Sequence, residues 1–310
     1  MSIKYESVSC NLCGSENYEQ FLERGDLSTG IPGMFNLVKC KDCGLVYQCP
    51  RPSLESWDAI YPEEYDQYAF DNNQSQNGAT ILKNYGVHKR VRLLSKFSKG
   101  GKVCDIGCST GDFLFELRNS SQWECYGVEP KKAAAEAAKK RGLNVVHGMF
   151  DEDIFPGVQF DVITLWNVIE HLYNPVETLN IIHNRLKLGG TLIFNTPNLD
   201  SLDAKIFKQY WIGFELPRHM YVFSEETISR LMQTTDFKII NNLCFYGQHA
   251  AAMSSVRFLL RSKLNNRYKF IEDFLFSYPL KGLLAPIFYV QDKMKKSSQV
   301  TIVAKKINLL

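Results

Sequence analysis

Residues 103–111, Val-Cys-Asp-Ile-Gly-Cys-Ser-Thr-Gly, combine an acid and small residues in a way that suits binding of a small hydroxylated ligand. An apolar run ends near Asp105, and a turn cornered by Gly107 and Gly111 leads into a helix start. Glycine lets the backbone approach a ligand closely, and a helix start offers free N–H groups. A second apolar run ends at Glu129, where a carboxylate can accept bonds from a ribose diol. The spacing predicts a nucleotide-type ligand at the ends of two neighbouring strands.

The same Gly-x-Ser-x-Gly spacing is found in the nucleophile elbow of α/β-hydrolases. Ser109 would then be the nucleophile, and Asp161 and His219 would complete the chain order Ser–Asp–His. Such an enzyme needs several strands and an oxyanion loop upstream of the elbow, and no His-Gly-Gly stretch precedes Ser109. The elbow also gives Asp105 and Glu129 no role, as does a purely structural turn. We therefore favour the ligand-binding loop.

Two Cys-x-x-Cys-Gly pairs form a second constellation, Cys10–Cys13 and Cys40–Cys43. Four thiolates complete the tetrahedral shell of Zn²⁺ and leave no open position, so the predicted site is structural. Two disulfides are the alternative, and a chain without a secretion signal argues against them. The other five cysteines of the nine are expected to be unligated.

Composition narrows the class of protein. The chain has 310 residues, 22% of them charged, and a formal net charge of +3, which makes no strong electrostatic case for a nucleic-acid partner. The N-terminal sequence is not typical of a signal peptide, and no apolar run reaches the roughly 18 residues of a membrane span. We expect a cytoplasmic enzyme.

Strand-like and helix-like segments alternate along most of the chain, which predicts the α/β class with a mostly parallel sheet. Ligands of such sheets bind at the carboxyl ends of the strands. The predicted strands are 102–106, 123–128, 144–147, 160–166, 190–196, 237–245 and 299–304.

In motif order and spacing, residues from about 80 to 245 resemble the class I S-adenosylmethionine (SAM)-dependent methyltransferases. The first motif of that family commonly reads Asp-x-Gly-x-Gly-x-Gly, and here it is Asp105-Ile-Gly107-Cys-Ser109-Thr-Gly111, with Ser at the middle glycine. The stretches 160–175 and 186–197 resemble later motifs. The resemblance implies a Rossmann-like seven-stranded sheet with helices on both faces and an antiparallel last strand, with a small N-terminal zinc ribbon beside it.

The resemblance also implies the cofactor, SAM, and a set of residues that hold it. Asp105 would bond toward the methionine amino group, and Glu129 would hold the ribose. Residues 149–150 would flank adenine, and residues 166–167 would line the methionine side. The expected set is Asp105, Gly107, Cys108, Ser109, Gly111, Glu129, Pro130, Met149, Phe150, Trp166 and Asn167. Tyr68 is added from its position in the linker, where it could close over SAM or, alternatively, anchor the linker by burial.

The stretch 210–224 contains a Trp…Pro-x-His…Phe-Ser pattern similar to one in zinc-ribbon small-molecule methyltransferases, including sugar methyltransferases. His219 is the candidate general base, because an imidazole can take a hydroxyl proton near neutral pH. Glu215 or Arg218 could orient it or the substrate, and His171 is a second candidate base. A purely structural His219 remains the alternative.

The acceptor follows only from that resemblance. We expect O-methylation of a sugar or glycan precursor. A lipid- or quinone-like acceptor, or a SAM-binding or zinc-ribbon interaction protein without turnover, are the alternatives.

The predicted organisation is a zinc ribbon at 1–52, a linker at 53–78 and a methyltransferase domain at 79–310. A helical insertion at about 247–298 separates the last two strands. It is expected to cover the acceptor pocket or, alternatively, to lie on a membrane surface. The sequence leaves the oligomeric state open.

Overall fold

A computed structural model describes residues 3–62, 79–120, 122–244, 248–264, 274 and 277–307. The predicted cofactor residue Tyr68 lies outside these ranges. The chain forms two compact units. The first comprises Met1–Pro62, Thr196–Arg230 and Leu243–Thr301, and the second comprises Glu63–Asn195, Leu231–Asn242 and Ile302–Leu310. These units cut across the predicted segments 1–52, 53–78 and 79–310, because the first unit joins the N-terminal residues to two later stretches.

The described residues form the following strands and helices. The strands are β1 (Tyr5–Glu6), β2 (Tyr18–Arg24), β3 (Phe35–Cys40), β4 (Val46–Gln48), β5 (Arg51–Pro52), β6 (Gly101–Ile106), β7 (Trp123–Glu129), β8 (Asn144–His147), β9 (Phe160–Trp166), β10 (Leu186–Pro197), β11 (Tyr221–Val222), β12 (Phe237–Leu243) and β13 (Gln299–Lys306). The helices are α1 (Trp57–Ile60), α2 (Ala79–Phe97), α3 (Asp112–Arg118), α4 (Lys132–Lys140), α5 (Pro175–Arg185), α6 (Leu202–Phe207), α7 (Glu225–Thr234), α8 (Gln248–Leu264) and α9 (Tyr278–Lys293).

Seven strands form one sheet in the order β12-β13-β10-β9-β6-β7-β8. The central neighbours β10 and β9, β9 and β6, β6 and β7, and β7 and β8 are parallel. The central strands β6 and β9 are apolar runs that are largely buried, as is typical of parallel sheets, and Val103, Val162 and Ile163 have no exposed surface. The predicted seven-stranded Rossmann-like sheet is confirmed. It brings the carboxyl ends of β6, β7 and β9 to one edge.

A second, antiparallel sheet has the order β11-β4-β3-β2. Its edge strand β11 comes from far along the chain, and Tyr221 pairs with Tyr47 while Val222 pairs with Val46. The apolar cluster beneath it includes Phe35, Leu37 and Trp211. This antiparallel sheet is therefore completed by a strand from the stretch 210–224, which also contains His219.

Two of the described helices, α8 and α9, lie within the predicted insertion 247–298. They pack on each other through Ala252 and Met253 of α8 and Leu284 and Phe288 of α9. Among the residues with described positions, no helix is long and apolar enough to cross a membrane.

The guanidinium of Arg218, in the first unit, is fully buried. Its two Nη atoms reach the two carboxylate oxygens of Asp26 at 2.6 and 3.2 Å. Nη1 also donates to Thr29 Oγ1 at 3.1 Å and to the carbonyl of Ile60 at 3.2 Å, and Nε lies 3.3 Å from Glu215 Oε1. Burial opposes ionisation of Asp26, but the charge and hydrogen bonds of Arg218 outweigh it and hold the Asp26 pKa below its usual value. One side chain thus joins three separate segments of the first unit.

We expect Arg218→Met to destabilise the protein strongly, because it leaves the Asp26 carboxylate buried without its counter-charge. Removal of one partner of a buried pair typically lowers the free energy of unfolding by about 3–5 kcal/mol. Urea denaturation followed by circular dichroism measures this change.

The matched control is Arg230→Met, which breaks the exposed pair of Arg230 and Glu226 at 2.7 Å. Exposed pairs contribute little to stability. Equal midpoints for the two variants would contradict the role given to Arg218.

Candidate functional site

The loop after β6 has an unusual backbone. Gly107, Ser109 and Gly111 have positive φ angles of 70°, 49° and 79°. The N–H groups of Gly107 and Cys108 both donate to the carbonyl of Val128, at 2.8 and 3.1 Å, and so tie the loop to β7. Ser109 adopts a left-handed conformation that costs a residue with a side chain on the order of 1 kcal/mol. All three motif positions therefore have positive φ angles, although the middle residue is serine.

Glu129, at the end of β7, is buried and bound on both carboxylate oxygens. Oε2 accepts a hydrogen bond from the Ser109 N–H at 2.8 Å, and Oε1 accepts one from the Lys131 N–H at 2.8 Å. A carboxylate oxygen can accept more than one bond. Glu129 is thus fixed in orientation and keeps acceptor capacity for a ligand.

The hydrolase interpretation of Ser109 is wrong. Asp161, its proposed triad partner, lies at the start of β9, where it accepts bonds from the Lys102 N–H and from Lys187 Nζ, both at 2.8 Å. Ser109 follows the carboxyl end of β6, which pairs in parallel with β9. The two side chains therefore lie at opposite edges of the sheet.

Asp105 lies in β6 beneath the loop and is 3% exposed. Its Oδ1 accepts a hydrogen bond from Thr164 Oγ1 at 2.5 Å. Burial raises the pKa of this carboxyl to about 7, against the opposing effects of the Thr164 hydrogen bond and the Arg90 charge. Asp105 is thus poised to ionise when a cationic group binds beside it.

Trp166, the last residue of β9, and Asn167, which follows it, lie at the same edge of the sheet. The Trp166 ring is buried, and its indole Nε1 has no hydrogen-bond partner among the described residues. Asn167 has a positive φ of 58°, and its N–H donates to the carbonyl of Asn195 at 3.0 Å. A buried, unsatisfied donor is uncommon in proteins and suits a polar ligand.

Arg90, in α2, lies at this site although no sequence pattern predicts it. Its guanidinium lies over the Trp166 ring, 5.2 Å from the centroid, and its charge lowers the pKa of Asp105. In the sequence it is one of several basic residues on a helix, and nothing in the spacing separates it from solvated neighbours.

The other predicted cofactor residues lie around the same strand ends. Cys108 is buried, and a Cβ at Gly127 would come within 2.7 Å of its Sγ, so the thiol packs on β7. Burial raises the Cys108 pKa well above its usual value. Met149, after β8, is 42% exposed, whereas Phe150 is buried. The carbonyl of Pro130 bonds to His147 Nε2 at 3.1 Å.

The four predicted metal ligands converge in the first unit. The Sγ atoms of Cys10, Cys13, Cys40 and Cys43 all lie within 4.8 Å of one another. The Cys10–Cys43 and Cys13–Cys40 separations are 3.4 and 3.6 Å, too long for disulfides. A tetrahedral Zn²⁺ with Zn–S bonds of about 2.3 Å requires sulfur–sulfur separations of about 3.8 Å. The cluster can therefore hold a tetrahedral metal ion.

His219 is 5% exposed and lies in the first unit. Its Nδ1 bonds to the carbonyl of Gly213 at 2.9 Å, and its Nε2 is 3.6 Å from Glu215 Oε2. A carbonyl only accepts, so Nδ1 carries the proton and Nε2 keeps its lone pair. Burial, with a smaller contribution from the charges of Arg218 and Arg24, lowers the His219 pKa to about 4, against the opposing effect of the Gly213 bond.

The second candidate base, His171, lies in the second unit, in the short 3-10 helix Ile169–His171 after β9. Its backbone N–H donates to the carbonyl of Val168 at 2.9 Å. It is half-buried, so its ring retains some access to solvent.

The family model described as a methyltransferase domain matches residues 81–242, more than half of the chain. The chain belongs to the methyltransferase domain family. This assignment confirms the predicted class, a SAM-dependent methyltransferase, and it covers the loop, the two acids and Trp166 described above.

Three curated relatives extend the comparison. The uncharacterized protein MJ1123 of Methanocaldococcus jannaschii is 25% identical over 182 residues, 58% of this chain and 80% of the relative. A tRNA U34 carboxymethyltransferase of Desulfotalea psychrophila is 32% identical over 33% of this chain and 34% of the relative. A ubiquinone biosynthesis O-methyltransferase of Azoarcus sp. is 30% identical over 41% of this chain and 58% of the relative. The chain thus spans less than two thirds of the length of both named enzymes.

Among solved structures, the fold is similar to one chain of the complex between the Haloferax volcanii Trm112 methyltransferase activator and a methyltransferase. The TM-score is 0.53 at 14% identity, over 79% of this chain and 98% of that chain. At this identity the likeness concerns the fold alone.

Asp105→Asn is expected to change how stability depends on pH. The pKa of Asp105 is raised in the folded state. Its favourable contribution to folding stability is therefore fully present below the unfolded-state pKa near 4, and it is lost as pH rises through about 7. Between pH 4 and pH 7, the free energy of unfolding of the variant should therefore rise relative to that of the wild type, by on the order of 4 kcal/mol once Asp105 is fully ionised. Urea denaturation from pH 4 to pH 8 measures it.

Asp161→Asn is the control, and its effect on stability should have the opposite sign. Hydrogen bonds and the charge of Lys187 lower the Asp161 pKa despite partial burial, so the ionised carboxylate stabilises the fold. Its loss should weaken the fold at neutral pH. Parallel pH curves for the wild type and Asp105→Asn would contradict the account of Asp105.

Proposed function

We propose that this enzyme transfers the methyl group of SAM to a hydroxyl group of a small, sugar-like acceptor. The observation that carries the proposal is the buried His219 ring, whose Nδ1–H donates to the Gly213 carbonyl at 2.9 Å and so fixes the neutral tautomer in which Nε2 is the basic nitrogen. O-methylation needs a group that accepts the hydroxyl proton, and a neutral imidazole is suited to it. The sugar-like acceptor rests on the resemblance of the stretch 210–224 to zinc-ribbon methyltransferases.

The residues at the carboxyl edge of the large sheet fit SAM. When bound, SAM supplies a methyl group activated by its positively charged sulfur. Glu129 has acceptor capacity for the ribose hydroxyls, and Asp105 can ionise against the amino group. The Arg90 guanidinium suits the carboxylate, and the unsatisfied Trp166 N–H offers a further donor. The chain's own contribution is thus to orient SAM and to remove water around it.

The chain's other contribution is to handle the acceptor proton. With a pKa near 4, His219 is unprotonated throughout the physiological range. It can therefore accept the proton without first losing one. The Gly213 carbonyl fixes the tautomer, and Glu215 lies close enough to stabilise the ring once it gains a charge.

A lipid- or quinone-like acceptor is the second candidate. Two observations favour it: the relative from Azoarcus carries the name of a ubiquinone biosynthesis O-methyltransferase, and α9 exposes large apolar side chains such as Leu283. A screen for methyl transfer should therefore include quinols beside nucleotide sugars.

We also propose that the cluster of Cys10, Cys13, Cys40 and Cys43 binds one structural Zn²⁺. The Gly14 and Gly44 N–H groups bond back to the carbonyls of Cys10 and Cys40, at 2.7 and 2.9 Å, and so form two tight knuckles. All four ligand positions are protein thiolates, so the metal has no open position for catalysis.

Purified protein is expected to hold about one Zn²⁺ per chain, measured by plasma mass spectrometry together with a thiol count. Cys40→Ser should abolish retention and lower stability. Cys244→Ser, which changes a cysteine outside the cluster, is the control and should retain the metal. Metal-free, fully folded wild-type protein would contradict the proposal.

His219→Asn is expected to lower kcat by about 10²–10⁴-fold while SAM affinity stays nearly unchanged, because the amide keeps a donor for Gly213 but cannot accept the proton. Radiolabelled methyl transfer to a panel of nucleotide sugars and quinols measures kcat, and calorimetry measures SAM binding. At saturating substrates, the wild-type rate should show no titration near pH 6.5.

His219→Ala serves as the comparison, because it removes both the donor and the base. If His219→Asn restores the activity that His219→Ala loses, the histidine has only a structural role. Loss of SAM binding in His219→Asn would lead to the same conclusion.

A further inference from the structure

Helix α9 exposes an apolar stripe to solvent. Leu283, Ile287, Val290 and Met294 follow one another at intervals of four, three and four residues, which places them on one side of the helix and its C-terminal end. Their exposed fractions are 73%, 55%, 53% and 57%, respectively. Soluble surfaces carry single exposed apolar residues, but a contiguous stripe marks an interaction site. We call these four residues the exposed stripe.

The exposed stripe is not the side that holds α9 in the fold. Leu280, Leu284 and Phe288 pack against Ala252 and Met253 of α8. These residues lie about a quarter to a third of a turn away from the stripe. The helix is therefore anchored on one side and leaves a second apolar side for another partner.

Lysines predominate at the C-terminal end of the exposed stripe. Lys293 and Lys295 are exposed at its C-terminal end, and Lys296 is half-buried. The Lys293 Nζ lies 5.4 Å from the centroid of the Tyr289 ring, which is itself 61% exposed. The helix sequence contains a single acid, Asp292, whose carboxylate accepts a bond from Ser297 Oγ at 2.5 Å.

We propose that α9 docks on an anionic lipid surface, with the exposed stripe at the boundary of headgroups and acyl chains and the lysines against lipid phosphates. An exposed apolar side and a basic end are features of interfacial helices. A helix of 16 residues is too short to span a bilayer, which takes about 20 residues. A second copy of the chain fits less well, because the stripe offers no acid to meet the partner's lysines.

Cosedimentation of the full chain with vesicles tests the proposal. Wild-type protein should bind vesicles of 70% phosphatidylcholine and 30% phosphatidylglycerol. It should bind vesicles of pure phosphatidylcholine much more weakly. Leu283→Gln with Ile287→Gln should weaken binding by roughly 10- to 100-fold through lost apolar burial. Replacing Lys293, Lys295 and Lys296 by Gln should weaken it by on the order of 100-fold and remove the preference for anionic lipid.

The matched control is Leu188→Gln, since Leu188 is 68% exposed in β10 and should not matter. SAM titration checks that every variant is folded. Failure of the wild type to bind anionic vesicles would overturn the proposal, as would equal binding by all variants. A dimer in sedimentation velocity that Leu283→Gln with Ile287→Gln dissociates, without vesicle binding, would assign the stripe to self-association. The vesicle readout is independent of methyl transfer, so either proposal can fail alone.

Discussion

The buried pair of Arg218 and Asp26 is the constraint on which the first unit depends. The two residues are 192 positions apart, and the same guanidinium also bonds to the carbonyl of Ile60. A buried guanidinium without counter-charge and acceptors would be strongly unfavourable. The β2–β3 connection, the end of α1 and the His219 stretch must therefore adopt their native positions together, and the geometry of the His219 ring follows from this.

In the second unit, a buried carboxylate holds separate backbone segments together. Glu129 bonds to two backbone N–H groups, those of Ser109 and Lys131, and so fixes the loop after β6 before any ligand binds. Asp105 lies deeper, where burial keeps its pKa near neutrality. One acid thus orders the loop, and the other remains sensitive to the charge of what binds there. A site organised in advance loses less conformational entropy on binding.

Much of this architecture could be predicted from the sequence because it is local. Each apolar run, glycine corner or cysteine pair is contained in a short stretch of sequence. These patterns indicated the seven strands, the loop after β6 and the cysteine cluster. The two-residue strand β11 has no periodicity of its own and exists only through its pairing with β4. Arg90 was indistinguishable from solvated basic residues, and the buried pairing of Arg218 with Asp26 could not be foreseen, since both roles depend on partners far away in the chain. The functions of the predicted site residues stay predictions until variants are measured.

The pairing of β4 with β11 also bears on how the chain is made. Tyr47 is synthesised long before its partner Tyr221. At about 5–20 residues per second, the ribosome takes roughly ten seconds to half a minute to cover that interval. During this time β4 has an unpaired edge, and Arg218, which binds Asp26 in the folded protein, has not yet been synthesised. The four clustered cysteines, in contrast, all emerge within the first 43 residues. The knuckles can therefore close early and hold the nascent ribbon together until the distant strand arrives.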